Sequence, residues 1–211
     1  MIGIHGIRPI ILRGAEYHLL GFITAVLACV LLAWQTIRKT PGYAKGRKLN
    51  ALSICMMGVL SVLLFFIYGI SVNLLKGILL ADLMLFASVS DIRERKVPNA
   101  VSFMISLLGL VSVSGGEMLR NAVAGTAAFC FFFLAAVLSK NKIGGADVKF
   151  IAACSFVCGL KEGLASVIIG LLLSVVGTLI RNKKAKLQDQ TMPLIPYLSV
   201  GFFTAFMIGG I

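Results

Sequence analysis

The sequence predicts an all-α, polytopic integral membrane protein with about eight transmembrane helices and both termini on the non-cytoplasmic side. Three observations predict it. The 211 residues are 59% hydrophobic and only 13% charged, with a mean hydropathy of +0.99. Soluble domains average about 45–50% apolar and about 25% charged residues, so a soluble protein is excluded. Apolar runs approaching the ~20 residues needed to cross hydrocarbon recur along almost the whole chain. The basic residues lie in short segments between those runs, which is how orientation in a bilayer is encoded. A net charge of +12 spread in this way points to the lipid bilayer as a partner and not to nucleic acid.

The runs fall at approximately 18–36, 51–71, 74–91, 99–114, 119–138, 147–160, 163–180 and 193–210. The first follows Arg8 and Arg13 and faintly resembles a signal peptide. It lacks a small-x-small cleavage site, so it is expected to be a retained span. Turn-forming pairs separate the others: Pro41-Gly42, Pro98-Asn99, Gly115-Gly116, Gly144-Gly145 and then Pro193. Pro98 and Pro193 suit the first turn of a helix, where a missing N–H costs nothing. The run at 147–160 is short for about 30 Å of hydrocarbon, so it is expected to start below the surface. The chain divides into residues 1–50, a first span with a basic loop, and residues 51–211, the remaining membrane domain.

Charge fixes the expected orientation. Four loops, after the first, third, fifth and seventh runs, hold Arg38 to Lys48, Arg93 to Lys96, Lys140 to Lys149, and Arg181 to Lys186. They carry fifteen of the 20 lysines and arginines. Arg8, Arg13, Lys76, Arg120 and Lys161 fall on the other side. The positive-inside rule then makes the four basic loops cytoplasmic. Asp91 ends the third run and Asp147 opens the sixth, so both belong at the cytoplasmic edge. Ionisable groups at a membrane boundary are costly and are functional candidates by default.

Two neighbouring carboxylates cannot both ionise cheaply, so such a pair holds one shared proton. The ionised member can take a proton from an attacking water while the protonated member donates to a peptide carbonyl oxygen. Asp91 and Asp147 are therefore the candidate catalytic residues of an aspartyl peptidase that needs no metal and no cofactor. Gly144 and Gly145 are candidate substrate-binding positions, because glycine lets a substrate approach the backbone. Read without a catalytic role, the two glycines are a loop before a helix whose N-terminus favours the charge of Asp147. Arg93 and Lys149 are candidates for supporting the carboxylates, with snorkelling anchors as the plainer reading of both.

The stretch Asp91-x-Arg93-x-x-x-Val97-Pro98-Asn99 resembles the first aspartate motif of the type IV prepilin peptidase family. Gly144-Gly145-Ala146-Asp147-Val148-Lys149 resembles its second, glycine-rich motif. The segment from Met192 to Gly201 is similar to the family's proline-containing opening of the last helix. The three blocks occur in the family's order over residues 75–210. Ala146 stands where many members have glycine, and Leu194 and Tyr197 stand where phenylalanines are common. The resemblance implies an inner (plasma) membrane endopeptidase of type IV pilus and protein secretion systems. Such an enzyme removes a basic leader from prepilin or pseudopilin precursors just before an apolar helix. Larger members carry a zinc domain with paired Cys-x-x-Cys motifs between their first two spans. Here that loop, Ile37 to Asn50, is short, basic and free of cysteine. The resemblance is thus to a compact branch, in which no metal site and no N-methyltransferase activity are expected.

Other candidates carry less. Asp82 lies nine residues before Asp91, about 180° around a helix, and interhelical hydrogen bonding accounts for it. Cys29, Cys55, Cys130, Cys154 and Cys158 all fall within apolar runs, as small packing residues do. His5 and His18 have no ligand partners in the sequence. The aromatic cluster Phe129, Phe131, Phe132 and Phe133 covers too much of one helix to form a defined pocket. The rival function is a proton- or cation-coupled transporter component using Asp82, Asp91 and Asp147. A carboxylate pair at one face, without a clear inverted repeat, disfavours it.

Overall fold

The computed structural model describes residues 47–69, 71–111, 115–139, 144–182 and 193–209, with Leu31, Gln35 and Arg38. Seven helices can be delimited among them, in the order of the seven later apolar runs. They are α1 (Arg47–Tyr68), α2 (Val72–Glu94), α3 (Asn99–Gly109), α4 (Gly115–Leu138), α5 (Gly145–Cys158), α6 (Leu160–Asn182) and α7 (Ile195–Gly209). The run expected at 18–36 lies outside the described residues except for Leu31 and Gln35. No strand occurs among the described residues.

Local chemistry sets the ends. Gly69, at φ 56°, closes α1, and the Ser71 hydroxyl caps α2 by accepting from the Leu74 N–H at 3.2 Å. Pro98, which cannot donate, precedes α3, and Gly159, at φ 87°, separates α5 from α6. Pro98 and Pro193 stand before their helices, and it is Pro196 that occupies a first turn.

Among the described residues four helices are long and apolar enough to cross a membrane: α1, α2, α4 and α6. At about 1.5 Å per residue the 23 residues of α2 reach about 34 Å, whereas the 14 of α5 reach about 21 Å. α3, α5 and α7 are therefore shorter apolar helices within the bundle. The run at 147–160 is short as expected, whereas α3 stops at Gly109 inside an apolar run read as 99–114, because hydropathy does not register where a helix stops.

Two helices organise the packing. α2 lies against α1, α3 and α7, while α5 lies against α3, α4, α6 and α7. Their joint core includes Leu80, Met84, Ile105, Phe150, Cys154, Leu198 and Phe202, with the Phe150 and Phe202 rings edge to face at 6.5 Å. α1, α4 and α6 keep large apolar residues on the outside, such as Phe66 (80% exposed) and Leu138 (74%). Such a surface suits lipid and not water. α2 is enclosed on several sides, so Asp82 and Asp91 are both buried, at 5% and 8% exposure, although they leave opposite faces of the helix. Between α6 and α7, glycines bring backbones together: a Cβ on Gly170 would lie 2.9 Å from the Leu198 Cα. This is the small-residue contact common between membrane helices.

Candidate active site

One end of the bundle collects the sequence candidates. Asp91 sits in the last turn of α2 and receives the Ile195 N–H on its Oδ2 at 3.2 Å. Leu194 also contributes a backbone hydrogen bond. Ile195 is the first residue of α7, so the carboxylate takes up N–H groups that a helix start cannot satisfy internally. It also faces the positive end of that helix's dipole. The chain then turns sharply. Arg95 adopts a left-handed conformation at φ 54° and its N–H returns to the Asp91 carbonyl at 3.0 Å. The Ser90 hydroxyl braces the turn by donating to the Lys96 carbonyl at 2.7 Å. The positive charge of Arg95 acts on Asp91.

Asp147 lies in the first turn of α5, outside the four long apolar helices. Gly144 caps that helix, its carbonyl accepting from the Asp147 N–H at 3.0 Å and the Val148 N–H at 3.3 Å. Burial, and then the negative charge of Asp91, push the Asp147 carboxyl up to about 6, against a lowering backbone hydrogen bond from Gly144. The structure thus places Asp91 and Asp147 within electrostatic reach of one another.

The remaining candidates separate. A Cβ on Gly144 would stand 3.0 Å from the Asp147 Oδ2, whereas one on Gly145 would meet nothing within 4 Å. Gly144 shapes the space beside the carboxylate; Gly145 is exposed. The Arg93 guanidinium donates to the Asn50 side chain at the start of α1. Lys149 is exposed and its Nζ donates to the Asn99 Oδ1 at 3.1 Å. Three contributors were not singled out from sequence: the Ile195 N–H, Arg95, and Asn99 as an acceptor. A mostly apolar cavity of about 430 Å³ between α1, α2 and α7 opens beside this end. Ile92 and Pro196, each adjacent in sequence to one partner of the Asp91–Ile195 bond, line it. Among the described residues no group of three or more His, Cys, Asp or Glu is arranged to hold a metal ion.

The pattern of the type IV leader peptidase family matches residues 78–180, a stretch that contains both aspartates. Over that stretch, just under half of its length, the chain is similar to the family. A family relative, the prepilin leader peptidase/N-methyltransferase of Bacillus subtilis (strain 168), is 29% identical over 149 residues. The match covers 67% of this chain and 59% of that protein, so the chain spans well under two thirds of the relative's length. No solved structure matches the chain significantly. The matched stretch contains the first two of the three sequence blocks, and the similarity fits the apolar helices long enough to cross a bilayer.

Proposed function

We propose that this protein is a membrane aspartyl endopeptidase that removes the basic leader of prepilins or prepilin-like proteins at the cytoplasmic face. The observation that carries this is the placement of Asp91 and Asp147 at one end of the bundle within electrostatic reach of one another, inside the segment that matches the leader peptidase family. In the reaction, the pair shares one proton. The ionised carboxylate removes a proton from water as the water oxygen bonds to the scissile carbonyl carbon, and the protonated one donates to the carbonyl oxygen. Collapse of the tetrahedral intermediate breaks the C–N bond, with the proton delivered to the leaving amine. The apparent pKa values of such a dyad belong to the pair.

Two features support the sidedness. The end that holds the aspartates also holds Lys48, Arg93, Arg95, Lys96 and Lys149, in keeping with a cytoplasmic face. That end adjoins the apolar cavity beside Asp91, so water and an apolar chain segment can both reach it. The short cysteine-free loop between the first two runs supports peptidase action without methyl transfer.

The test is leader removal from several pilin-like precursors by purified protein, with the cut located by mass spectrometry. Asp91→Asn and Asp147→Asn should each abolish cleavage while expression and membrane insertion stay near normal. Full activity in either variant would exclude the dyad.

A further inference from the structure

Lys149 stands two residues after Asp147, so the two side chains leave α5 about 200° apart. Its ammonium therefore turns away from the carboxylate and reaches Asn99, the first residue of α3, at 3.1 Å. Asn99 in turn is rigidly connected to Asp91. The left-handed Arg95, the Arg95 N–H on the Asp91 carbonyl and the Ser90–Lys96 bond fix the turn after α2. The Val101 N–H on the Pro98 carbonyl at 3.0 Å then starts α3. On the other side, the Gly144 carbonyl fixes the first turn of α5 around Asp147. One side-chain bond thus spans two stiff units, each of which carries one of the aspartates.

We propose that the Asn99–Lys149 hydrogen bond is a tether that sets the spacing of the Asp91 and Asp147 carboxylates. Both are then positioning residues for the peptidase reaction proposed above, on which this inference rests. The bond is exposed, and such bonds contribute little to folding stability, so its loss leaves the bundle folded. Catalytic geometry is far less forgiving, since a displacement of about 1 Å costs on the order of 100-fold in rate. The Lys149 charge is not the operative feature, because Asn99→Ala keeps the charge and removes only the acceptor. Asn99→Asp keeps an acceptor oxygen of the same reach and strengthens the bond.

The experiment compares Asn99→Ala, Asn99→Asp, Lys149→Met and the Asn99→Ala/Lys149→Met double variant, as purified full chains acting on a precursor with a basic leader and apolar helix. Asn99→Ala and Lys149→Met should each lower kcat about 10-fold with KM unchanged. The double variant should be no slower than the slower single, the signature of one shared interaction. Asn99→Asp should stay within about 2-fold of the parent. Wild-type kcat in Asn99→Ala, losses that multiply in the double variant, or an Asn99→Asp as slow as Asn99→Ala would each overturn the tether. Amide hydrogen exchange supplies a readout that does not depend on cleavage. Faster exchange confined to residues 97–101 and 145–149 in Asn99→Ala, restored in Asn99→Asp, supports the tether even if no precursor is cut. Unchanged exchange there refutes it. Absence of cleavage by the parent protein would instead count against the peptidase function.

Discussion

Adjacent glycines give the most discriminating perturbation of the site. Gly144 has φ −66° and ψ 135°, a conformation any residue adopts, so alanine there brings no backbone strain. The consequence is local: the new Cβ would lie 3.0 Å from the Asp147 Oδ2. Ordinary contact begins about 0.4 Å farther out, and that oxygen ends a short side chain that can only rotate away. If about 1 Å of misplacement costs on the order of 100-fold, a few tenths of an ångström should cost about 5- to 10-fold in kcat. At Gly145 a Cβ meets nothing within 4 Å, and it lies in the first turn of α5. Alanine there removes unfolded-state freedom and should stabilise by up to about 1 kcal/mol. The assay is cleavage of one precursor by purified Gly144→Ala and Gly145→Ala under identical conditions, with thermal midpoints measured in parallel. Slow Gly144→Ala and normal Gly145→Ala is the expected result. Equal rates would refute the steric reasoning. A selective loss in Gly145→Ala, with its fold intact, would transfer the substrate-approach role to that exposed glycine.

Four further outcomes are expected. With Asp147 pushed up to about 6, the shared proton is retained below that pH and lost above it, so the cleavage rate should fall as pH rises through about 6. Following the protonated-carboxyl infrared band of Asp147 in Asp91→Asn should show its midpoint moving down, because the neighbouring charge is gone, yet staying above that of a free aspartate, because burial remains. Gly201→Ala should lower the thermal midpoint by an amount equivalent to about 1–3 kcal/mol, since its Cβ would run into the Ser166 backbone carbonyl across the α6–α7 contact; Gly116→Ala, with open space around it, should not. Incubation with a methyl donor and cleaved precursor should leave the new N-terminus unmethylated, as read by mass.

The order of the seven helices was legible because glycine, proline or a basic segment interrupts the apolar runs. The shortness of the run at 147–160 was legible too; the end of α3 at Gly109 was not, since Leu110 and Val111 are as apolar as the helix before them. Asp91 and Asp147 stood out through cost: a carboxylate beside an apolar run needs a reason. What holds them did not stand out. The Ile195 N–H reaches Asp91 across 104 residues and is a backbone group, invisible in a string of side chains. Arg95 occupies a left-handed position usually given to glycine or asparagine, so nothing marked it as the turning point. Arg93 looked like the natural neighbour of Asp91, but two residues along a helix is about 200°, and its guanidinium reaches Asn50 on α1. Lys149 departs from Asp147 by the same geometry.

These contacts also decide what an aspartate substitution can report. The start of α7 supplies N–H groups to Asp91, and the start of α5 supplies the Gly144 backbone to Asp147. Each carboxylate therefore sits at a helix N-terminus, where a negative charge is favoured by about 0.3–1 kcal/mol. An asparagine keeps an acceptor oxygen for the same N–H groups and loses only that modest electrostatic part. The bundle core, where residues such as Leu80, Phe150 and Phe202 cluster, is untouched. A complete loss of cleavage in Asp91→Asn or Asp147→Asn, accompanied by a thermal midpoint within a few degrees of the parent, would thus locate the defect in proton transfer. A large fall in the midpoint would mean instead that the carboxylates are chiefly structural helix caps, and would overturn the catalytic assignment.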